Sequence, residues 1–236
     1  MRTFRNSKGP FAERPHFTAA EIERTCLDEL RAVDLLPSQP SPVRIERFIE
    51  RRFHLRPIYD DLPTGILGFT RFGHNGAEEM KIARALAEDG TATAERRITT
   101  TLGHEGGHCL LHAYLFAVGN SARSLFGDPD ALDSPVILCR DEVSVGNSAS
   151  ERRYDGRWWE YQANQAMAAL LLPRPLVEKC LKPFMVAAGG LGTTTLDDGR
   201  REEATRTVAE IFEVNRIVAR LRIAGLCGSD GQQLSL

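Results

Sequence analysis

"TLGHEGGHCLLH", residues 101–112, sets His104 and His108 four residues apart with Glu105 directly after the first. On an α-helix the two histidines lie on one face, about 40° apart, so that both imidazoles reach one cation, while Glu105 is turned about 100° from His104. That geometry suits a division of labour: two neutral imidazoles hold Zn2+, a bound water becomes acidic, and the neighbouring carboxylate moves its proton to a leaving amine. The competing reading is an ordinary helix with a surface or capping pair of histidines. Gly103, Gly106 and Gly107 weigh against it. Each costs a helix interior about 0.5–1 kcal/mol relative to Ala, a penalty that makes sense where something approaches the backbone closely.

A catalytic zinc needs a third protein ligand and keeps its fourth position for water. His112 repeats the i+4 spacing, but it stands about 12 Å along the helix axis from His104, too far to share an ion with bonds of about 2 Å. The arrangement with a third histidine further along the same segment fails too, because Leu111 and Tyr114 occupy the positions where it asks for Gly and His. In "WWEYQANQAMAALLLP", residues 158–173, Glu160, Ala163, Asn164, Met167 and Leu171 form one helical stripe. An acid and an amide thus sit one turn apart at the edge of an apolar face, where a metal resolves the cost of the carboxylate. Asn164 is placed to accept the far N–H of His104 or His108 and so fix its tautomer. Asp141, Glu142, Glu151 and Asp155 remain weaker alternatives to Glu160.

The 236 residues suffice for one substantial domain, alone or with a small appendage. A formal net charge of -2 supplies no bulk attraction to nucleic acid or an anionic membrane. Five scattered cysteines without a CxxC pair argue against a disulfide framework or a thiolate cluster and imply a reducing compartment. With no apolar run of spanning length and no secretory signal at the start, a cytoplasmic, soluble protein without membrane association is expected.

Residues 1–17 lack periodicity and are expected to form a flexible tail. Thr18 signals the cap of a first helix carrying Ile22, Cys26, Leu27 and Leu30, and "VRIERFIERRF" reads as a second with Val43, Ile45, Phe48 and Ile49 inside. "LRPIYD", "GILGFTRF" and "EMKIARAL" read as short strands, the last two a hairpin, and "VILCRDEVSV" as a further strand. The zinc helix is expected over residues 91 to about 118, and the Glu160 helix ends at Pro173 and Pro175. The fold class is therefore α+β, mostly helical with a small sheet. The expected division is a metal-binding domain over 18–175, a C-terminal helical extension over 176–227 and a tail over 228–236. The strands before the zinc helix are candidates to bind an extended peptide by strand addition.

"TTLGHEGGHCLLH", then "CRDE" and "EYQANQAMAALLLP", resemble the ImmA/IrrE family of zinc metallopeptidases. The likeness continues through "LPTGILGF" and the C-terminal "VAEIFEVNRIVARLRIAGL", and so covers most of the chain. Departures from the family pattern fall at Gly106, Ala166, Met167 and Leu172, and none removes a ligand. The resemblance implies a zincin-like, specifically gluzincin-like, core with His104, His108 and Glu160 as zinc ligands and Glu105 as general base. It further implies a zinc-dependent endopeptidase acting on a protein, often a helix-turn-helix repressor in stress response or transcription regulation. Tyr154, Tyr161 and His112 are the candidates for donating to the oxyanion, His112 being better suited to a buried hydrogen-bonding role below the site.

Two rival functions stand beside this one. "REEATRTVAEIFEVNRIVARLRIAGL" resembles a helix-turn-helix whose Arg216, Arg220 and Arg222 meet DNA phosphate. Against it, Val208, Ile211, Phe212, Val214, Ile217, Val218 and Leu221 make a helical packing face. The other rival is a regulatory protein with a zinc site that cleaves nothing.

Overall fold

The computed structural model describes residues 2–5, 13–73, 75–115, 136–140, 158–187 and 194–228. The fold is α+β, largely helical, with a small sheet. Helix α1 (Ala19–Ala32) starts at a capping box, in which the Thr18 hydroxyl accepts from the Glu21 amide and the Glu21 carboxylate accepts from the Thr18 amide. Its Ile22, Cys26 and Leu30 are buried, as are Val43 before α2 (Ile45–Phe53) and Ile45, Phe48 and Ile49 within it.

The sheet that supports the site comes next. Strands β3 (Ile58–Asp60), β4 (Ile66–Gly73), β5 (Gly76–Ala83) and β6 (Val136–Arg140) lie in the order β3-β5-β4-β6. The β4–β5 and β4–β6 pairs are antiparallel and β3–β5 is parallel. Both β4 and β5 are therefore paired on two sides. Of the strands before the histidine helix, only β3 is thus left at a sheet edge, because β6 returns from after that helix to cover β4. Alternation turns Thr70 and Phe72 of β4 and Met80 and Ile82 of β5 into the core. "EMKIARAL" is only half strand: from Arg84 the chain turns into α3 (Arg84–Asp89), closed by Gly90 at φ 63°. Thr91 then caps α4 (Ala92–Leu111), its hydroxyl accepting from the Ala94 amide.

Helix α4 packs on β4 and against α5 (Trp158–Leu171), which is stopped by Pro173 and followed by α6 (Arg174–Leu181). Toward the C-terminus lie α7 (Arg201–Ile211) and α8 (Arg216–Cys227). Three sequence expectations need correction. Residues 2–5 and 13–16 are not a tail but an antiparallel pair, β1 (Arg2–Arg5) and β2 (Glu13–His16). A second hairpin, β7 (Met185–Ala187) with β8 (Thr194–Leu196), interrupts the region expected to be helical. The expected boundary after residue 175 falls inside α6, and one hydrophobic cluster runs from Ile22 and Phe48 through Leu102 and Leu170 to Val208 and Ile223. The C-terminal helices thus contribute to the same core, burying Val208, Phe212, Val218 and Ile223 in it. The expected tail over 228–236 lies outside the described residues beyond Gly228.

Arg222 shows how the C-terminal helices are tied in. It is 6% exposed, donates through Nε to the Leu172 carbonyl at 3.0 Å, and pairs with Glu23 of α1. It is internal and does not face DNA. Leu221, expected on the packing face, is instead 42% exposed. Replacing Arg222 with Met strands Glu23 and is expected to cost about 3 kcal/mol in urea unfolding. A loss below about 1 kcal/mol would mean that water substitutes for the guanidinium. Among the described residues, no helix is long and apolar enough to cross a membrane.

Candidate metal centre

His104 and His108 project from the buried middle of α4, and both are fully buried. Glu160 comes from the first turn of α5, with its side chain 18% exposed. The helices approach closely enough to bring these residues together because α4 carries glycine where α5 crosses. A Cβ at Gly107 would lie 2.8 Å from the Ala163 carbonyl oxygen and 3.0 Å from the Ala166 Cβ, whereas one at Gly106 would meet nothing nearer than 3.8 Å. The close approach inferred from the glycines is thus made by a neighbouring helix, and Gly106 takes no part in it.

Three donor atoms converge. His104 Nε2 lies 3.0 Å from His108 Nε2 and 3.1 Å from Glu160 Oε2, and His108 Nε2 lies 3.7 Å from the same oxygen. A tetrahedral ion with bonds of about 2.05 Å holds its ligands about 3.3 Å apart, and the three separations straddle that value. His104, His108 and Glu160 are so disposed that they could hold a metal ion. The hydrogen bonds around them orient the lone pairs. Asn164 Oδ1 lies 3.0 Å from His104 Nδ1, so that this nitrogen donates and Nε2 is the basic atom turned inward. Of the two histidines open to Asn164 in the sequence, it takes His104.

Without a cation, three basic atoms this close must share a proton. Burial works against charge on His104, yet the hydrogen bond to Glu160 and the nearby carboxylates outweigh it and raise its pKa. Burial likewise raises Glu160, but hydrogen bonds from His104 and His108 hold the carboxyl well below the usual range. Both shifts favour a protonated His104 beside an ionised Glu160, an arrangement that a cation held by the three donors would replace. His108 is pushed down to about 4, chiefly by burial, and stays neutral, as a ligand must.

Glu105 projects beside the pair toward the sheet. Its Oε2 accepts a hydrogen bond of 2.6 Å from the Thr70 hydroxyl on β4, while Oε1 is buried with no hydrogen-bond partner among the described residues. Burial raises its pKa to about 7, opposed by His104 and by the Thr70 hydrogen bond. A carboxylate oxygen left unpaired in the core is costly, and a polar ligand at the neighbouring donor set resolves that cost.

His112 is not a donor to the triad. It caps the end of α4 and is fully buried, with Nδ1 2.9 Å from His108 Nδ1 and Nε2 3.0 Å from Gln162 Oε1. Tyr161 points outward, 55% exposed. Tyr154, Asp141, Glu142, Glu151 and Asp155 lie outside the described residues. The sequence reading missed Thr70 and Gln162. A hydroxyl in a strand reads as an ordinary β-former, whereas Gln162 had a signal: it is an amide whose i−4 and i+4 neighbours on α5, Trp158 and Ala166, are both apolar and buried.

No family model matches this chain, and no curated protein matches it.

Proposed function

We propose that the chain is a zincin-like, zinc-dependent endopeptidase with His104, His108 and Glu160 as ligands and Glu105 as general base. The observation that carries this reading is the pairing of a two-nitrogen, one-oxygen donor set with an adjacent buried carboxylate whose Oε1 is unpaired. That donor set, two imidazoles and a carboxylate, suits zinc in a hydrolytic site. Zinc bound there supplies Lewis acidity, acidifying a water and polarising the scissile carbonyl.

The rest is done by the chain's own residues. Thr70 holds Oε2 of Glu105, which leaves Oε1 as the oxygen that would take the proton. Burial favours the protonated form of Glu105, so the carboxylate takes up a proton more readily than an exposed one would. Thr70→Val is expected to lower kcat about tenfold with zinc content unchanged, as a positioning hydrogen bond to the base is lost. An unaltered kcat would remove Thr70 from this role.

The motif likeness to ImmA/IrrE metallopeptidases supports a protein substrate, with a helix-turn-helix repressor as the favoured kind and a cytoplasmic setting. The DNA-binding reading is weaker on this surface, because Arg222 is internal and Arg220 pairs with Glu202 at 3.1 Å. The test is zinc-loaded full chain incubated with a peptide library and with candidate repressors, followed by mass spectrometry. Cleavage abolished by a chelator and restored by zinc is expected. A chain that binds zinc but cleaves nothing in either set would overturn the peptidase while leaving the metal centre.

A further inference from the structure

Behind His108 a file of polar groups crosses the core to the N-terminal hairpin, and the direction of each hydrogen bond in it follows from its fixed end. It begins at the Pro15 carbonyl of β2, which can only accept. Gln162 Nε2 lies 3.0 Å from that oxygen and donates to it. The amide orientation follows: Gln162 Oε1 faces the His112 ring, 3.0 Å from Nε2, so His112 carries its proton on Nε2. A neutral imidazole has a single N–H, which leaves His112 Nδ1 as an acceptor. His108 Nδ1, 2.9 Å away, is therefore the donor of that hydrogen bond. The remaining ring nitrogen of His108, Nε2, keeps its lone pair and is the atom turned to His104 and Glu160.

The surroundings keep the file in this order. Gln162 is 5% exposed and His112 is fully buried, so that water does not compete for either hydrogen bond. Trp158 packs edge-on to the His112 ring with centroids 5.6 Å apart and hinders its turning over. Asn164 performs the corresponding service for His104 in one step. For His108 the same result takes two side chains and a backbone carbonyl from a hairpin distant in sequence.

We propose that Gln162, acting through His112 and anchored on the Pro15 carbonyl, is a positioning residue that locks His108 in its metal-binding tautomer. Metal affinity is thereby tied to the seating of strand β2. The proposal rests on the metal-centre reading above but not on peptidase activity.

Zinc affinity of the full chain, measured by competition with a chromophoric chelator, tests it. Gln162→Leu removes the acceptor and is expected to weaken zinc binding about 10–100-fold, the range that loss of an outer hydrogen bond to a ligand produces. Gln162→Glu restores an acceptor for the His112 N–H, at the expense of the Pro15 contact, and is expected to recover most of that affinity. A packing role predicts the reverse order, since Leu is apolar and similar in size while Glu buries a charge. Leu equal to wild type, or Glu weaker than Leu, would overturn the relay and leave the metal site standing. A wild-type chain with no measurable zinc affinity would overturn both. Should the Leu variant fail to fold by circular dichroism, ring 15N–1H correlations of the zinc-loaded wild type read the tautomers directly. His112 protonated at Nε2 and His108 at Nδ1 are expected, and His112 protonated at Nδ1 overturns the proposal.

Discussion

Glu160→Ala is expected to leave the chain folded and without zinc, while Glu105→Gln keeps about one zinc per chain and loses peptide cleavage. The two substitutions separate holding the metal from using it. Among the described residues Glu160 supplies the one carboxylate oxygen in the donor set, and its loss leaves two imidazoles. The affinity should fall by more than the roughly 10–100-fold that loss of an outer hydrogen bond costs. Glu105 lies beside the set rather than within it, and Gln keeps its shape and can still accept from Thr70. Gln cannot accept the proton, however, and loss of a general base costs about 100- to 10,000-fold in kcat. Metal analysis of the purified proteins and a cleavage assay are the measurements. Full zinc occupancy in Glu160→Ala sinks the ligand assignment, iron in place of zinc in the wild type sinks the choice of metal, and unchanged cleavage in Glu105→Gln sinks the mechanism.

Gly107→Ala carries the second large effect, with Gly106→Ala as its control. The added methyl at 107 meets backbone, the Ala163 carbonyl oxygen at 2.8 Å, which cannot turn aside like a side-chain tip. Overpacking of this kind costs about 1–3 kcal/mol. Because the displaced helix also carries Glu160 and Asn164, zinc affinity is expected to fall with stability. At 106 the nearest atoms are Leu170 Cδ1 at 3.8 Å and Ile49 Cγ1 at 3.9 Å, ordinary contact. There the methyl is expected to add about 0.5–1 kcal/mol through helix propensity and to leave zinc binding alone. Thermal melts with and without zinc read both. Equal melting temperatures for the two variants would show that α4 and α5 do not meet as described.

How much of this was legible depended on how local each feature is. The spacing of His104, Glu105 and His108 is a property of one helix, and so is the Thr18 capping box. Glu160 and Asn164 were visible because an acid and an amide broke an apolar stripe at i+4. Gln162 stands about 200° from Glu160 around the same helix, so the stripe passed it over. Only the packing of α5 on both α1 and α4 buries that second side and makes Gln162 internal. The N-terminal hairpin escaped notice for a related reason. "RTFR" and "ERPH" carry no apolar alternation, and their order comes from pairing with each other and from a carbonyl that accepts from Gln162. Likewise, β4 and β5 looked like strands but not like interior ones, since the strand that covers β4 arrives from far along the chain.

The sequence by itself determined the two helices that carry the site, the hairpin of β4 with β5, and a short set of candidate donors, because helical and strand periods act over a few residues. The tertiary structure alone decided which proton each donor carries and which partners hold it. Hydrogen-bond direction at the two histidines is set by Asn164, Gln162 and Pro15, which become their neighbours only when distant segments pack.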